Sequence, residues 1–390
     1  MKKFLIILLT AIILVLGGFF ILNLFFGFTD SQTNEKETVQ SVSSETKETT
    51  TASSEEFDSV QDTLKKMTLE EKVGQLFFVR VPEANQVEDI ATYHLGGYVL
   101  FGRDMENETK ESLTDKIKSY QDASKIPLLI GSDEEGGTVT RVSQNPNLVA
   151  APFASPQALY AAGGFAAIKS DTLNKAKILH EFGINTGLFP IADVATDPNA
   201  FIYDRTIGLD EAGTSEYVTT VVKALAAEKS GSTLKHFPGY GNNRDSHVEI
   251  VRDTRSIKEL RQTDFKPFKA GIKAGADSVL VSHNIVDSLD QTKPASISKP
   301  VHDVLRNELG FKGVIMTDDM DMAGLADFIS QADAGLAALQ AGNDLIMSSS
   351  YQVQIPRILS AIKAGEYSEE ELDNAVTRVL NWKKELGLLQ

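Results

Sequence analysis

The chain is 390 residues long, 42% hydrophobic and without cysteine, which supplies one large core or two ordinary ones and excludes disulfides, thiolate metal ligands and a thiol nucleophile together. A formal net charge of -16 excludes a nucleic-acid backbone as partner, since binders of that kind need basic patches that displace counterions. An acidic globular enzyme is the simplest class left.

Lys2 and Lys3 precede an apolar run from Phe4 to Phe28 that is interrupted only by glycine, threonine and Asn23. Roughly 20 apolar residues cross a bilayer, and flanking lysines keep the N-terminus cytoplasmic. The run ends in Leu24, Phe25, Phe26, Gly27 and Phe28 with no small-x-small cleavage site. Residues 1–28 are therefore predicted to be a retained single-pass anchor, with a cleaved signal peptide as the alternative, and the rest of the chain is predicted to be extracellular. Residues 29–56 are almost entirely serine, threonine, glutamate, lysine and glutamine and are predicted to be a disordered linker that cannot build a core.

Residues 57–390 read as a single catalytic domain. Eight short apolar runs alternate with longer amphipathic stretches: Gly74 to Val81, Gly97 to Phe101, Pro127 to Ser132, Ile184 to Ile191, Thr233 to Phe237, Ser278 to Ser282, Gly313 to Thr317 and Asp344 to Ser348. Helical patterns lie between them at Tyr217 to Lys229, Ile257 to Ala274, Gln331 to Ala341 and Glu369 to Glu385. Repeated βα units predict an α/β fold of the (β/α)8 TIM-barrel type, with an open doubly wound sheet as the alternative.

Polar residues cluster at the C-terminal ends of these runs: Asp133 after the third, Asp193 after the fourth, Lys235 and His236 in the fifth, His283 after the sixth and Asp318 after the seventh. Barrel enzymes keep their active sites there. Asp318 is followed by Asp319, and strand alternation sends only one of two adjacent carboxylates into the barrel mouth; an N-cap role is the structural alternative for either. An ammonium at the position of Lys235 needs a carboxylate, for which Asp193 and Asp133 are the candidates. Asp193 and His283 read equally as supports of the site or as core groups with satisfied hydrogen bonds. Gly136 and Gly137 are not followed by Lys-Ser/Thr and so do not make a phosphate loop. Asp245-Ser-His247, among Gly239, Gly241, Asn242 and Asn243, reads alone as a surface loop, although an imidazole titrating near about pH 6.5 is suited to moving a proton both ways.

Five stretches together resemble glycoside hydrolase family 3, and in particular its β-N-acetylglucosaminidase (NagZ-like) branch: Met67-Thr-Leu-Glu-Glu-Lys-Val-Gly-Gln-Leu76, Asp133-Glu-Glu-Gly-Gly-Thr-Val-Thr-Arg141, Asp204-Arg-Thr-Ile-Gly208, Lys235-His-Phe-Pro-Gly-Tyr-Gly241 with Asp245-Ser-His247, and Val304-Leu-Arg-Asn-Glu308 leading into Gly313-Val-Ile-Met-Thr-Asp318. The resemblance implies a retaining exo-β-N-acetylhexosaminidase acting on a β-linked amino-sugar glycan such as a cell-wall fragment. Asp318 would be its nucleophile, and Asp245 and His247 an acid/base dyad. The same resemblance implies that Asp133, Arg141, Arg205, Lys235 and His236 bind the sugar, and it implies no metal and no cofactor. Tyr240 stands where many members of the family have histidine, and the loop from Gly241 to Asp245 is one residue shorter than in many of them. Other readings are a β-glucosidase, β-xylosidase or phosphorylase of the same family, and a surface glycan-binding protein.

Overall fold

The computed structural model describes residues 59–389 except His247; the expected anchor 1–28 and linker 29–56 lie outside the described residues. Among the described residues no helix is long and apolar enough to cross a membrane.

Capping boxes start several of the helices. The Thr68 hydroxyl accepts the Glu71 N–H at 3.2 Å while the Glu71 carboxylate accepts the Thr68 N–H at 2.8 Å. This reciprocal pair satisfies two donors that a helix start leaves open and begins the helix Leu69–Gln75. Gly74 and Gln75, expected to open the first strand, therefore belong to that helix, and β1 spans Phe77–Arg80. Ser256 with Glu259 and Ser368 with Glu371 do the same for Ile257–Gln262 and Glu369–Glu385. The helix Gln331–Ala341 has its expected bounds, whereas the stretch expected as one helix over 257–274 splits into Ile257–Gln262 and Phe265–Ala274.

The strands that follow β1 are β2 Gly97–Leu100, β3 Leu129–Ser132, β4 Thr233–Phe237, β5 Arg252–Asp253, β6 Ser278–Val281, β7 Ile285–Val286, β8 Val314–Thr317 and β9 Ile346–Met347. They pair in parallel as β3-β2-β1-β9, as β4-β6-β8, and as the short pair β5-β7. Parallel bridges Gly131 to Thr186, Thr186 to Gly231 and Ile191 to Lys235 join the two larger sheets on one side, and Met316 to Leu345 joins them on the other. The arrangement is a TIM-type α/β fold, but its ladder is not one sealed ring. The expected fourth run, 184–191, forms single bridges only. Leu188 takes a positive φ of 49° and Pro190 has no N–H to give, and both interrupt an extended ladder.

Phe78 of β1 fills the space over β2 and β3, which carry Gly97 and Gly131 there. A Cβ on Gly131 would lie 2.4 Å from the tip of the Phe78 ring, so any side chain at that position would displace the ring. Parallel strands place all their C-terminal ends on one side, and that side gathers Arg80, Asp133, Lys235, His236, Asp318 and Asp319.

One arginine fastens the β5-β7 pair to the chain leaving β4. Arg255 is bound to Asp253 at 2.6 Å, to Asp264 at 2.9 Å and to the Gly239 carbonyl at 2.7 Å, and burial pushes the Asp264 carboxyl up to about 6 against the pull of that guanidinium. Replacing Arg255 by alanine strands two buried carboxylates, and the expected loss is about 3–5 kcal/mol in urea unfolding. A loss below about 1 kcal/mol would mean that the cluster holds nothing together.

Candidate active site

A cavity of about 190 Å³ opens at the strand C-termini and is lined by Asp133, Arg141, Arg205, Lys235, His236 and Asp318, together with Arg80, Phe101, Leu280, Asp319, Met322 and Met347. Six of the residues named from the sequence are thus brought together. Asp245 is half-buried in the loop after Gly241 and does not line the cavity, and His247 lies outside the described residues. The residue between them is well held: the Ser246 hydroxyl meets the Tyr240 hydroxyl at 2.6 Å, and its carbonyl accepts the Gly324 N–H at 3.2 Å.

Lys235 is buried and lies 2.8 Å from Asp133 and 2.7 Å from Glu135. Of its two candidate partners Asp133 is the one used, and Glu135 is an addition that the sequence reading did not single out. Glu135 is also clamped by Arg205 in a bidentate pair, Nε at 2.9 Å and Nη2 at 2.8 Å, the geometry in which guanidinium and carboxylate match best. Burial alone would raise the Glu135 carboxyl, yet Arg205 and Lys235 outweigh it and hold the group well below the usual carboxylate range. In return the two carboxylates keep Lys235 charged above its ordinary range in spite of its burial. The signal for Glu135 was present in the motif Asp133-Glu-Glu, because one partly exposed aspartate cannot neutralise a buried lysine and a half-buried arginine.

His236 is fixed at both nitrogens. Arg205 only donates, so His236 Nε2 accepts from Nη2 at 3.0 Å and Nδ1–H donates to Asp193 at 2.8 Å. Asp193 also accepts the backbone N–H groups of His236 and Tyr240 at 3.0 and 2.7 Å. Asp193 is a buried group with satisfied hydrogen bonds and also holds His236, which lines the cavity. His283 bridges Ser296 at 2.7 Å and the Asp319 carbonyl at 2.9 Å. Lys235 and His236 are neighbours that both face the cavity, and the register of β4 against β6 shifts between Leu234 and Phe237, a local irregularity of the kind that re-aims side chains.

Asp318 follows β8 and accepts the Asp319 N–H at 2.9 Å. Asp319 turns to Arg80, with which it is ion-paired, and accepts the Asp321 N–H at 3.0 Å. Burial pushes the Asp319 carboxyl up to about 6 even with Arg80 beside it. Arg80 and Arg141 both stand over the Phe101 ring, at 4.8 and 5.7 Å from its centre, and Arg141 reaches Asp133 at 3.5 Å. Arg80 was missed because it falls at the end of an apolar run whose sequence neighbours carry no motif. The arrangement sets the Asp318 carboxylate beside a floor of paired donors and acceptors suited to a polyhydroxylated ring.

Replacing Glu135 by glutamine removes the counter-charge that Lys235 and Arg205 share, and should cost about 3–5 kcal/mol at pH 7 and more than tenfold in kcat/KM. Its depressed carboxyl supplies stability that is complete above the unfolded value of 4.5 and is lost as pH falls through the lower folded value. The gap in unfolding free energy between wild type and Glu135→Gln should therefore narrow as pH falls below about 4; a gap that widens there would contradict the pairing.

The sequence profile of the glycosyl hydrolase family 3 N terminal domain matches residues 68–382. The chain is 34% identical over 259 residues to a protein named beta-hexosaminidase from Xanthomonas campestris pv. campestris, covering 65% of this chain and 76% of that one. It is 28% identical over 333 residues to beta-hexosaminidase A of Pseudoalteromonas piscicida, covering 78% of this chain but only 55% of that protein's length. Among solved structures it is similar to a glycoside hydrolase family 3 beta-N-acetylglucosaminidase from a Paenibacillus species, with a TM-score of 0.78 and 28% identity over 83% of this chain and 63% of that one. A match of that extent on this cavity places the chain in glycosyl hydrolase family 3.

Proposed function

We propose that the chain is a retaining exo-β-N-acetylhexosaminidase that releases terminal β-linked N-acetylglucosamine from glycans, cell-wall fragments being the natural class. The observation that carries this reading is Asp318, a carboxylate at the end of β8 facing a cavity built of Asp133, Arg141, Arg205 and Lys235. The names borne by the Xanthomonas and Pseudoalteromonas relatives support the sugar. In this reading the two sheets act as one (β/α)8 barrel with its mouth at that cavity.

Asp318 attacks the anomeric carbon and forms a glycosyl ester, and His247, oriented by Asp245, protonates the departing oxygen and then takes a proton from the incoming water. Asp133, Arg141, Arg205, Lys235 and His236 bind the sugar, and Glu135 holds Arg205 and Lys235 in place. Support for the loop's part comes from Ser246, which is tied to Gly324 shortly after Asp318. Residues 1–28 anchor this domain to the cell membrane through the linker 29–56, with residues 57–390 outside the cell.

The test is a set of aryl β-glycosides that differ only in the sugar, assayed with and without phosphate. N-acetylglucosaminides should turn over far faster than glucosides, and phosphate should not enter the product. Asp318→Ala should lose more than roughly 1,000-fold on every substrate, whereas His247→Ala should lose much less on an activated phenol than on a basic leaving group. Equal rates on both sugars would remove the assignment.

Location is tested by fractionating cells that express the full chain. Activity should sediment with membranes, and a mature protein starting near Thr29 in the medium would contradict a retained anchor.

A further inference from the structure

Glu134 sits between two acids that face the cavity's cations and makes neither of their contacts. It is fully buried. One oxygen, Oε1, accepts the Val142 N–H at 2.7 Å, the Arg141 N–H at 3.1 Å and the Ser132 hydroxyl at 3.0 Å. The other, Oε2, is buried with no hydrogen-bond partner among the described residues.

The cations around it are committed elsewhere. Lys175, on the helix Pro156–Glu181, is buried 3.5 Å from Asp171 and lies over the rings of Phe153 and Phe189 at 5.1 and 4.7 Å. Lys235 and Arg205 are paired with Glu135, and Lys235 and Arg141 also with Asp133. A carboxylate at Glu134 would be a buried charge without a counterion in contact; a carboxylic acid keeps the same acceptor oxygen and removes that charge, at the smaller cost of a buried O–H on Oε2 that meets no acceptor among the described residues.

The segment that Glu134 holds is the one that presents Arg141. The chain turns at Gly136, whose N–H donates to Val139 at 3.1 Å and whose φ is 96°, and a Cβ there would meet the Ala154 carbonyl at 2.1 Å. It then returns to Arg141, whose backbone N–H is bound by Glu134 just before the short helix Val142–Gln144. We propose that Glu134 is a positioning residue that works as an uncharged carboxylic acid, fixing the turn that presents Arg141 to the sugar without touching the sugar itself. This rests on the reading of Arg141 as a sugar contact.

Burial pushes the Glu134 carboxyl up to about 7, against the pull of its backbone and hydroxyl donors and of the Lys175 charge. Because the folded value lies above the unfolded one, Glu134 contributes stability that is full below pH 4.5 and is lost as pH rises through about 7. Glutamine supplies the same acceptor oxygen, does not titrate, and like the acid places a donor without an acceptor at the position of Oε2.

The experiment compares wild type with Glu134→Gln, Glu134→Ala and Arg141→Ala. Glu134→Gln should keep kcat and KM within about twofold, and its folding equilibrium constant relative to wild type should rise roughly 100-fold between pH 4 and pH 8. Glu134→Ala should raise KM about tenfold with little change in kcat, as removal of a ground-state contact does. At pH 6 the infrared difference spectrum of wild type minus Glu134→Gln should show the carbonyl stretch of a protonated carboxylic acid. A Glu134→Gln enzyme as impaired as the alanine variant, or the absence of that carbonyl band, would overturn the proposal; the band decides it even if Glu134→Ala fails to fold. An unchanged KM in Arg141→Ala would instead count against the sugar contact, a failure separate from the state of Glu134.

Discussion

Lys235 carries an ammonium into the apolar end of β4, and Glu135 is what makes that position tenable. With Arg205 on its other side, Glu135 lies fully buried between two cations at 2.7 and 2.8 Å. An isolated charge of either sign would be expelled from such a place or neutralised, whereas a hydrogen-bonded cluster can stay. The rest of the cavity floor hangs on this pairing: Asp133 completes the shell of Lys235, Arg205 fixes His236, and His236 is held in turn by Asp193.

Three consecutive acids thus have three environments. Asp133 faces the cavity, Glu135 is ionised between two cations, and Glu134 is pressed toward neutrality by burial among backbone donors. The pair at the other wall divides in a similar way, with Asp318 facing the cavity and Asp319 turned to Arg80. Placing adjacent carboxyls in opposed environments is how one fold obtains different chemistry from identical groups.

Much of this was legible in the chain. The C-terminal ends of the apolar runs marked Asp133, Lys235, His236 and Asp318 because a parallel sheet gathers those ends whatever its closure. The helical pattern from Glu369 to Glu385 has the bounds the sequence suggested, and the structure shows Ser368 and Glu371 capping its start. The illegible parts depend on contacts distant in sequence. Arg80 meets Asp319 across 239 positions and leaves no local pattern; Glu135 meets Arg205 and Lys235 across 70 and 100 positions, so the acidic motif offers a counter-charge without showing which cations it meets. The fourth run failed as a strand because its composition promised apolar extension while Leu188 and Pro190 interrupted the ladder.

The central claim is that Asp318 forms the bond to the sugar while Asp319 serves Arg80. It is tested most directly by incubating the His247→Ala protein with an activated fluoro-sugar of the N-acetylglucosamine series, digesting it, and locating the label by mass spectrometry. The account predicts a single glycosyl adduct on Asp318. A label on Asp319, or turnover with no carboxylate labelled, would contradict it.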